Sequence, residues 1–346
     1  MTDLRLGIVG CGRVVEVFHL PALRTCGRWS VQALTDPKQE RLAALGPMAP
    51  DASHWTDLEA MIREVPLDVV LIAAPPEEHV RGVVAALEAG LSVLLEKPGG
   101  RSVDEAESMV AAQRDQVAWV AFNRRFMPPY GRLKAWIHSE TPSKRLRGQF
   151  DLSFSVAGWR SVSNYLGDVS RGGSVLLDVA SHQLDLLSWL FETDLARISV
   201  QAWDDQSGAE GTIDYQVELV TGAEIRCLAA HRPGYTERLL IHSRAGSCLA
   251  QPTGELIAGR DTFPSIERRA RIDQWLKRKL VRLGMASDLL AASYALQWEA
   301  FADQIQGKTP PTMGMPLTDL PRLHRRLAAL ERSADKGEPE AIPPVS

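Results

Sequence analysis

Leu4-Arg5-Leu6-Gly7-Ile8-Val9-Gly10-Cys11-Gly12-Arg13 is the stretch on which the fold turns. Its apolar run reads as a buried strand, the glycine pair follows at once, and Val14 to Leu23 reads as a helix. Two glycines between a strand and a helix permit a tight turn. They also let a pyrophosphate approach the backbone, with the helix N-terminus facing its negative charge. Gly10, Cys11, Gly12, Arg13 and Val14 are the candidate contacts. Val15 occupies the third motif position, where Gly or Ala favours close helix–strand packing.

Moving outward, Val31 to Thr35 reads as a second strand that ends at Asp36, 24 residues beyond Gly12. A carboxylate there can accept both ribose hydroxyl protons and repels a 2′-phosphate, which favours NAD over NADP. Lys38 keeps NADP open, and a cap or turn role for Asp36 before Pro37 is the structural alternative. Helical readings over 38–45, 57–64, 79–89 and 103–114 alternate with apolar strands over 68–74, 91–95 and 117–122. This alternation predicts an α/β fold, a doubly wound parallel sheet of Rossmann type over residues 1–122.

After Asn123 the period changes. Strand readings over 147–157, 197–204, 212–220, 223–231 and 237–243 come at hairpin-like spacing, with helices over 128–138, 174–191, 288–306 and 318–333. They predict an α+β domain over 123–335 with a mostly antiparallel open sheet, helices on one face, and an extended tail over 336–346. The 346 residues are 45% hydrophobic and 24% charged, a balance that suits two globular cores rather than a disordered chain. A net charge of −4 gives no overall grip on nucleic acid or an anionic membrane. No stretch approaches the about 18 apolar residues of a membrane span. The start enters a strand without a secretory segment, and four scattered cysteines fit reduced thiols, so a cytoplasmic protein is expected.

Leu91 to Leu95 leads into Glu96-Lys97-Pro98 at the carboxyl end of a buried strand, the edge where open α/β sheets bind ligands. With Gly10-Cys11-Gly12-Arg13 and His19-Leu20-Pro21-Ala22-Leu23, the sequence resembles the Gfo/Idh/MocA oxidoreductases. Ala74-Pro75-Pro76-Glu77-Glu78-His79, Phe122-Asn123-Arg124-Arg125-Phe126-x-Pro128 and Gly172-Gly173-Ser174-x-x-x-Asp178-x-x-x-His182 follow in order, and Tyr294-x-x-Gln297-x-x-x-x-Phe301 resembles the closing helix. The resemblance implies NAD(P) held between two domains and a reactive set that falls on Lys97, Asp178 and His182. It adds Ala74, Pro75, His79, Glu96 and Lys97 as cofactor contacts. Val15, Ala74 and Ser174 depart from the family pattern without removing a reactive group.

The residues support these roles independently. Asp178 and His182 are four apart, so a helix stacks them on one face, and Asp185 continues the polar stripe. A neutral imidazole can take a hydroxyl proton, and a nearby carboxylate can orient it. Lys97 can stabilise charge on a substrate oxygen. The alternatives are a structural Asp–His pair or a metal site, for which no third ligand lies at useful spacing, so no metal is expected. Asn123 and Tyr165 are candidate substrate contacts, as is Arg125, which fits a structural pair equally well. Trp159-Arg160 lies on the same approach. His19 reads as structural or near the cofactor, and His231 and His242 as sheet residues.

The expectation is an NAD(P)-dependent oxidoreductase acting on a secondary alcohol or ketone of a sugar, sugar derivative or cyclitol, as a homo-oligomer of two or four chains. Two rivals stand beside it: an NAD-dependent glycosidase of the same fold and a non-catalytic NAD-binding regulator. Residues 268–282 read as a basic amphipathic helix, either a solvated face or a contact for a phosphate-bearing substrate, a membrane surface or a partner subunit.

Overall fold

The structure is a computed structural model that describes residues 3–139, 146–157, 168, 171–204, 211–244, 246–252, 254–258, 288–308 and 313–343. Trp159, Arg160, Tyr165 and the basic segment 268–282 lie outside the described residues. The chain divides into two compact units: Met1–Asn123, Ala157–Gly173 and Tyr294–His324 form the first, and Arg124–Val156, Ser174–Ser293 and Arg325–Ser346 the second. The first unit thus draws in two later segments that a linear division at residue 122 assigns to the second domain.

In the first unit, five strands run parallel: β1 (Leu4–Val9), β2 (Trp29–Thr35), β4 (Val69–Ile72), β5 (Ser92–Leu95) and β6 (Ala118–Val120). β3 (Ser53–Trp55) extends the parallel set beyond β2, and β14 (Met315–Pro316) closes the other edge antiparallel to β6. The order is β14-β6-β5-β4-β1-β2-β3, so the winding reverses between β4 and β1. Every residue of β4 is buried, as a central parallel strand covered on both faces requires. α4 (His79–Glu88) packs closely enough that a Cβ at Gly82 would come within 3.0 Å of Ile72.

The late segment joins this unit through aromatic packing. α8 (Leu289–Ile305) stacks Tyr294 on Phe18 at 4.7 Å between ring centroids and sets Trp298 edge-on to Trp29, also at 4.7 Å. Arg28 donates to Asp303 Oδ1 at 2.7 Å and to Gln306 Oε1 at 2.8 Å.

The second unit holds an eight-stranded sheet in the order β13-β12-β11-β7-β10-β9-β8-β15. Its strands are β7 (Arg147–Phe154), β8 (Leu195–Asp204), β9 (Thr212–Leu219), β10 (Glu224–His231), β11 (Tyr235–His242), β12 (Ser247–Gln251), β13 (Gly254–Ala258) and β15 (Glu340–Ala341). Hairpin neighbours are antiparallel, but β7 and β10 run parallel from Arg147↔Glu224 to Phe154↔His231. The long connection out of β7, which carries α7 (Ser181–Phe191), permits this crossover. Gln183 ties that helix to the sheet by donating to Phe150 O (2.9 Å) and Leu228 O (3.2 Å) and accepting from Tyr215 Oη (3.0 Å). In the described part of the tail, Glu340 and Ala341 pair with β8 as an edge strand.

Candidate active site

The carboxyl ends of β1, β2, β4 and β5 carry the first set of candidates. Gly10 has φ 90°, and a Cβ there would meet Ala73 O at 2.5 Å, so only glycine fits where the β1 and β4 exits abut. At Gly12 a Cβ would meet nothing within 4 Å, which leaves open space over the loop. Cys11 N–H donates to Asp36 Oδ2 at 2.8 Å and Lys38 N–H to Asp36 Oδ1 at 2.9 Å, so backbone amides fix the carboxylate beside the loop. Arg41 Nε donates to Cys11 O at 2.8 Å, while Arg13 and Arg41 flank Glu16 at 3.5 and 3.7 Å.

The Cys11 thiol is buried, and burial, followed by the charge of Asp36, pushes its pKa up to about 12. It is therefore a protonated packing group. Val15, the unusual third position, is fully buried at the start of a π-helical turn over Val15–His19 that replaces an ordinary first turn. The open space above Gly12, the glycine backbone and the fixed Asp36 suit a dinucleotide.

The β5 exit loop runs from Glu96 through a cis Lys97–Pro98 bond to Gly99 and Gly100, whose φ values are 78° and 90°. Three histidines hold it. His19 Nε2 lies 2.8 Å from Glu96 Oε1, Gly100 N–H donates to His79 Nδ1 at 3.2 Å, and His324 Nε2 donates to Gly99 O at 3.1 Å. His79 Nε2 in turn donates to Ala74 O at 2.9 Å, which joins the β4 and β5 exits. Burial pushes the His79 pKa down to about 4, opposed by its bond to Ala74, and lowers that of His324 as well. Both ring nitrogens of His79 serve the backbone, so it supports the loops rather than offering a nitrogen to a cofactor. Glu96 is committed in the same way, to His19 and to the Lys97 backbone N–H at 3.2 Å.

In the second unit, Ser174 opens the reactive segment. Its hydroxyl accepts from Leu177 N–H at 3.2 Å, so this departure from the glycine-rich pattern serves as a cap. Asp178 lies in a second π turn, Leu176–Ala180, which runs into α7 with His182 in its first turn. Asp178 Oδ2 lies 2.8 Å from Nε2 of His231 at the end of β10, and both side chains are buried. His231, read from the sequence only as a sheet residue, is thus the neighbour of Asp178. Ile225, Cys227, Ala229 and His231 alternate on a buried register, and a polar residue on such a register needs a partner.

The remaining polar stripe resolves differently. Arg125 donates to Asp185 through Nε at 3.0 Å and Nη2 at 2.5 Å, with both side chains buried. Arg125 is thus paired with Asp185, the structural pairing that its sequence context also allowed. Arg124 and Tyr130 donate to Glu237 Oε1 at 3.2 and 2.7 Å, and Tyr235 donates to Oε2. Asn123 is 2% exposed and ends the first unit, which also holds Lys97; Asp178 and His182 belong to the second. Among the described residues, no group of three or more His, Cys, Asp or Glu could hold a metal ion. No described helix is long and apolar enough to cross a membrane.

The model of the Gfo/Idh/MocA family, described as an oxidoreductase family with an NAD-binding Rossmann fold, matches residues 4–123. Residues 4–123 are thus similar to the NAD-binding domain of that family. Inositol 2-dehydrogenase of Corynebacterium glutamicum is 30% identical over 208 residues, 58% of this chain and 57% of that enzyme. D-glucoside 3-dehydrogenase of Escherichia coli is 29% identical over 193 residues, 53% of each. The chain therefore spans less than two thirds of the length of either relative. Over 99% of this chain and all of the other, the fold is that of the myo-inositol 2-dehydrogenase structure from Lactobacillus plantarum, with TM-score 0.79 at 18% identity.

Removing one partner of a buried ion pair leaves an uncompensated charge, so Arg125→Ala should lower stability by about 3–5 kcal/mol in urea denaturation. A loss below about 1 kcal/mol would mean that the Arg125–Asp185 pair is not a buried structural bond. His79 gives a pH signature. The unfolded ring takes a proton near pH 6.5 and the folded ring only near 4, so stability should hold above 6.5 and decline towards pH 4. The decline attributable to this ring is on the order of 3 kcal/mol. His79→Gln should flatten the profile between those limits, and an unchanged slope would contradict the neutral, buried imidazole.

Proposed function

We propose that the protein is an NAD-dependent dehydrogenase that interconverts a secondary alcohol and a ketone on a sugar, sugar derivative or cyclitol. The observation that carries this reading is the β1 exit, open above Gly12 with Asp36 fixed beside Cys11, within a domain matched by an NAD-binding oxidoreductase model. The names of the relatives, an inositol and a glucoside dehydrogenase, support the substrate class. Gly10, Cys11, Gly12, Arg13 and Val14 would hold the pyrophosphate, and Asp36 the adenosine ribose. When bound, NAD supplies the hydride acceptor.

The chain supplies the proton chemistry. The Lys97 ammonium polarises the substrate oxygen and stabilises charge on it. His182 removes the hydroxyl proton in oxidation and returns it in reduction. Asp178, held by His231, lends its negative charge to the protonated form of His182 one helical turn on. The cysteines Cys11, Cys26, Cys227 and Cys248 are all free, which supports a cytosolic setting, and we take the active form to be a homo-oligomer of two or four chains.

NADH formation across a panel of inositols, sugars, glycosides and nucleotide sugars tests the reading. His182→Ala should lower kcat on the best substrate by about two to four orders of magnitude while NADH affinity holds. Near-normal turnover would remove His182 from the mechanism, and aglycone release without net NADH would favour the glycosidase. Calorimetric titration should give a lower Kd for NADH than for NADPH because Asp36 repels a 2′-phosphate. Tighter NADPH binding would overturn the assignment of Asp36.

A further inference from the structure

Glu96 is only 6% exposed, and a buried carboxylate needs donors. It has one on each oxygen: His19 Nε2 at 2.8 Å on Oε1 and the backbone N–H of Lys97 at 3.2 Å on Oε2. His19 is fully enclosed, and Trp298 Nε1 lies 3.1 Å from its Nδ1. An indole N–H can only donate, so Nδ1 must accept. The proton of the neutral ring is then on Nε2, aimed at Glu96. The bonds therefore run in one direction, from Trp298 to His19 to Glu96, and no alternative tautomer satisfies all three groups.

We propose that His19 is a positioning residue for Lys97: acting through Glu96, it fixes the backbone from which the lysine side chain projects. The inference rests on the role given to Lys97 above. His19 closes the same π turn that starts at Val15, so one short segment both follows the glycine loop and supports the lysine. His79 and His324 hold the far side of the loop at Gly100 and Gly99. Of the three rings, His19 bonds the residue whose carboxylate accepts the Lys97 amide.

Glu96→Gln separates positioning from folding because it keeps the shape yet cannot serve both neighbours. With its amide oxygen towards His19, its NH2 confronts the Lys97 N–H; flipped, the NH2 confronts the His19 Nε2–H. His19→Leu removes the link altogether. The lysines of the full chain are tagged by reductive [13C]dimethylation, Lys97→Arg assigns the Lys97 resonance, and thermal melts confirm folding. No substrate or cofactor is needed.

In both variants the Lys97 line should shift and broaden while the other lysine lines stay in place. A Lys97 line that matches the wild type in a folded variant would overturn the proposal, as would a general shift of all lysine lines. If His19→Leu does not fold, Glu96→Gln decides alone. Failure of the wild type to bind NADH would defeat the cofactor reading, and the Lys97 line would still decide this one.

Discussion

A loop that leaves the carboxyl edge of a parallel sheet loses its strand neighbours, and its buried backbone groups must find other partners. Here that need is met by imidazoles. His79 accepts from Gly100 N–H and donates to Ala74 O, His324 donates to Gly99 O, and His19 takes up Glu96. A neutral imidazole suits the task because one rigid ring offers a donor and an acceptor at once. The same packing explains the glycines. Gly99 has φ 78°, and a Cβ there would come within 2.8 Å of the Leu320 side chain, so a larger residue would be strained and would displace that leucine. The result is a fixed β5 exit beside the winding reversal of the sheet, where α/β sheets bind ligands.

The second unit meets a related problem with charge. Asp178 and Asp185 belong to one polar stripe, yet their partners differ. Asp185 accepts a two-point contact from Arg125, whereas Asp178 meets the ring of His231. A guanidinium pair fixes structure, and its charge stays compensated. An imidazole behind a carboxylate orients it through one directed bond. Two buried aspartates at helical spacing thus take partners of different chemistry, a guanidinium for Asp185 and an imidazole for Asp178.

Much of this was legible in the residues. The apolar runs leading to Val9, Thr35, Ile72 and Leu95 are parallel strands, Lys97 follows β5, and Asp178 and His182 lie on one continuous helical segment. Two-residue strands such as β14 and β15 escaped because they have no periodicity to detect; tertiary pairing alone defines them. The parallel β7–β10 pair escaped because local spacing shows only hairpins. Arg125 read equally as a substrate contact or a structural pair, and His231 only as a sheet residue, because their partners lie 60 and 53 residues away. The first unit's capture of Tyr294–His324 depends on aromatic stacking between helices that the sequence separates widely.

The proposed dinucleotide site lies in the fixed loops at the ends of β1, β4 and β5. Amide hydrogen exchange followed by mass spectrometry, with and without NADH, tests it without any assumption about substrate. Dinucleotide binding at these loops should slow exchange over Gly10–Arg13, Ala73–His79 and Glu96–Gly100. Exchange in these three loops that is unchanged by saturating NADH would contradict it.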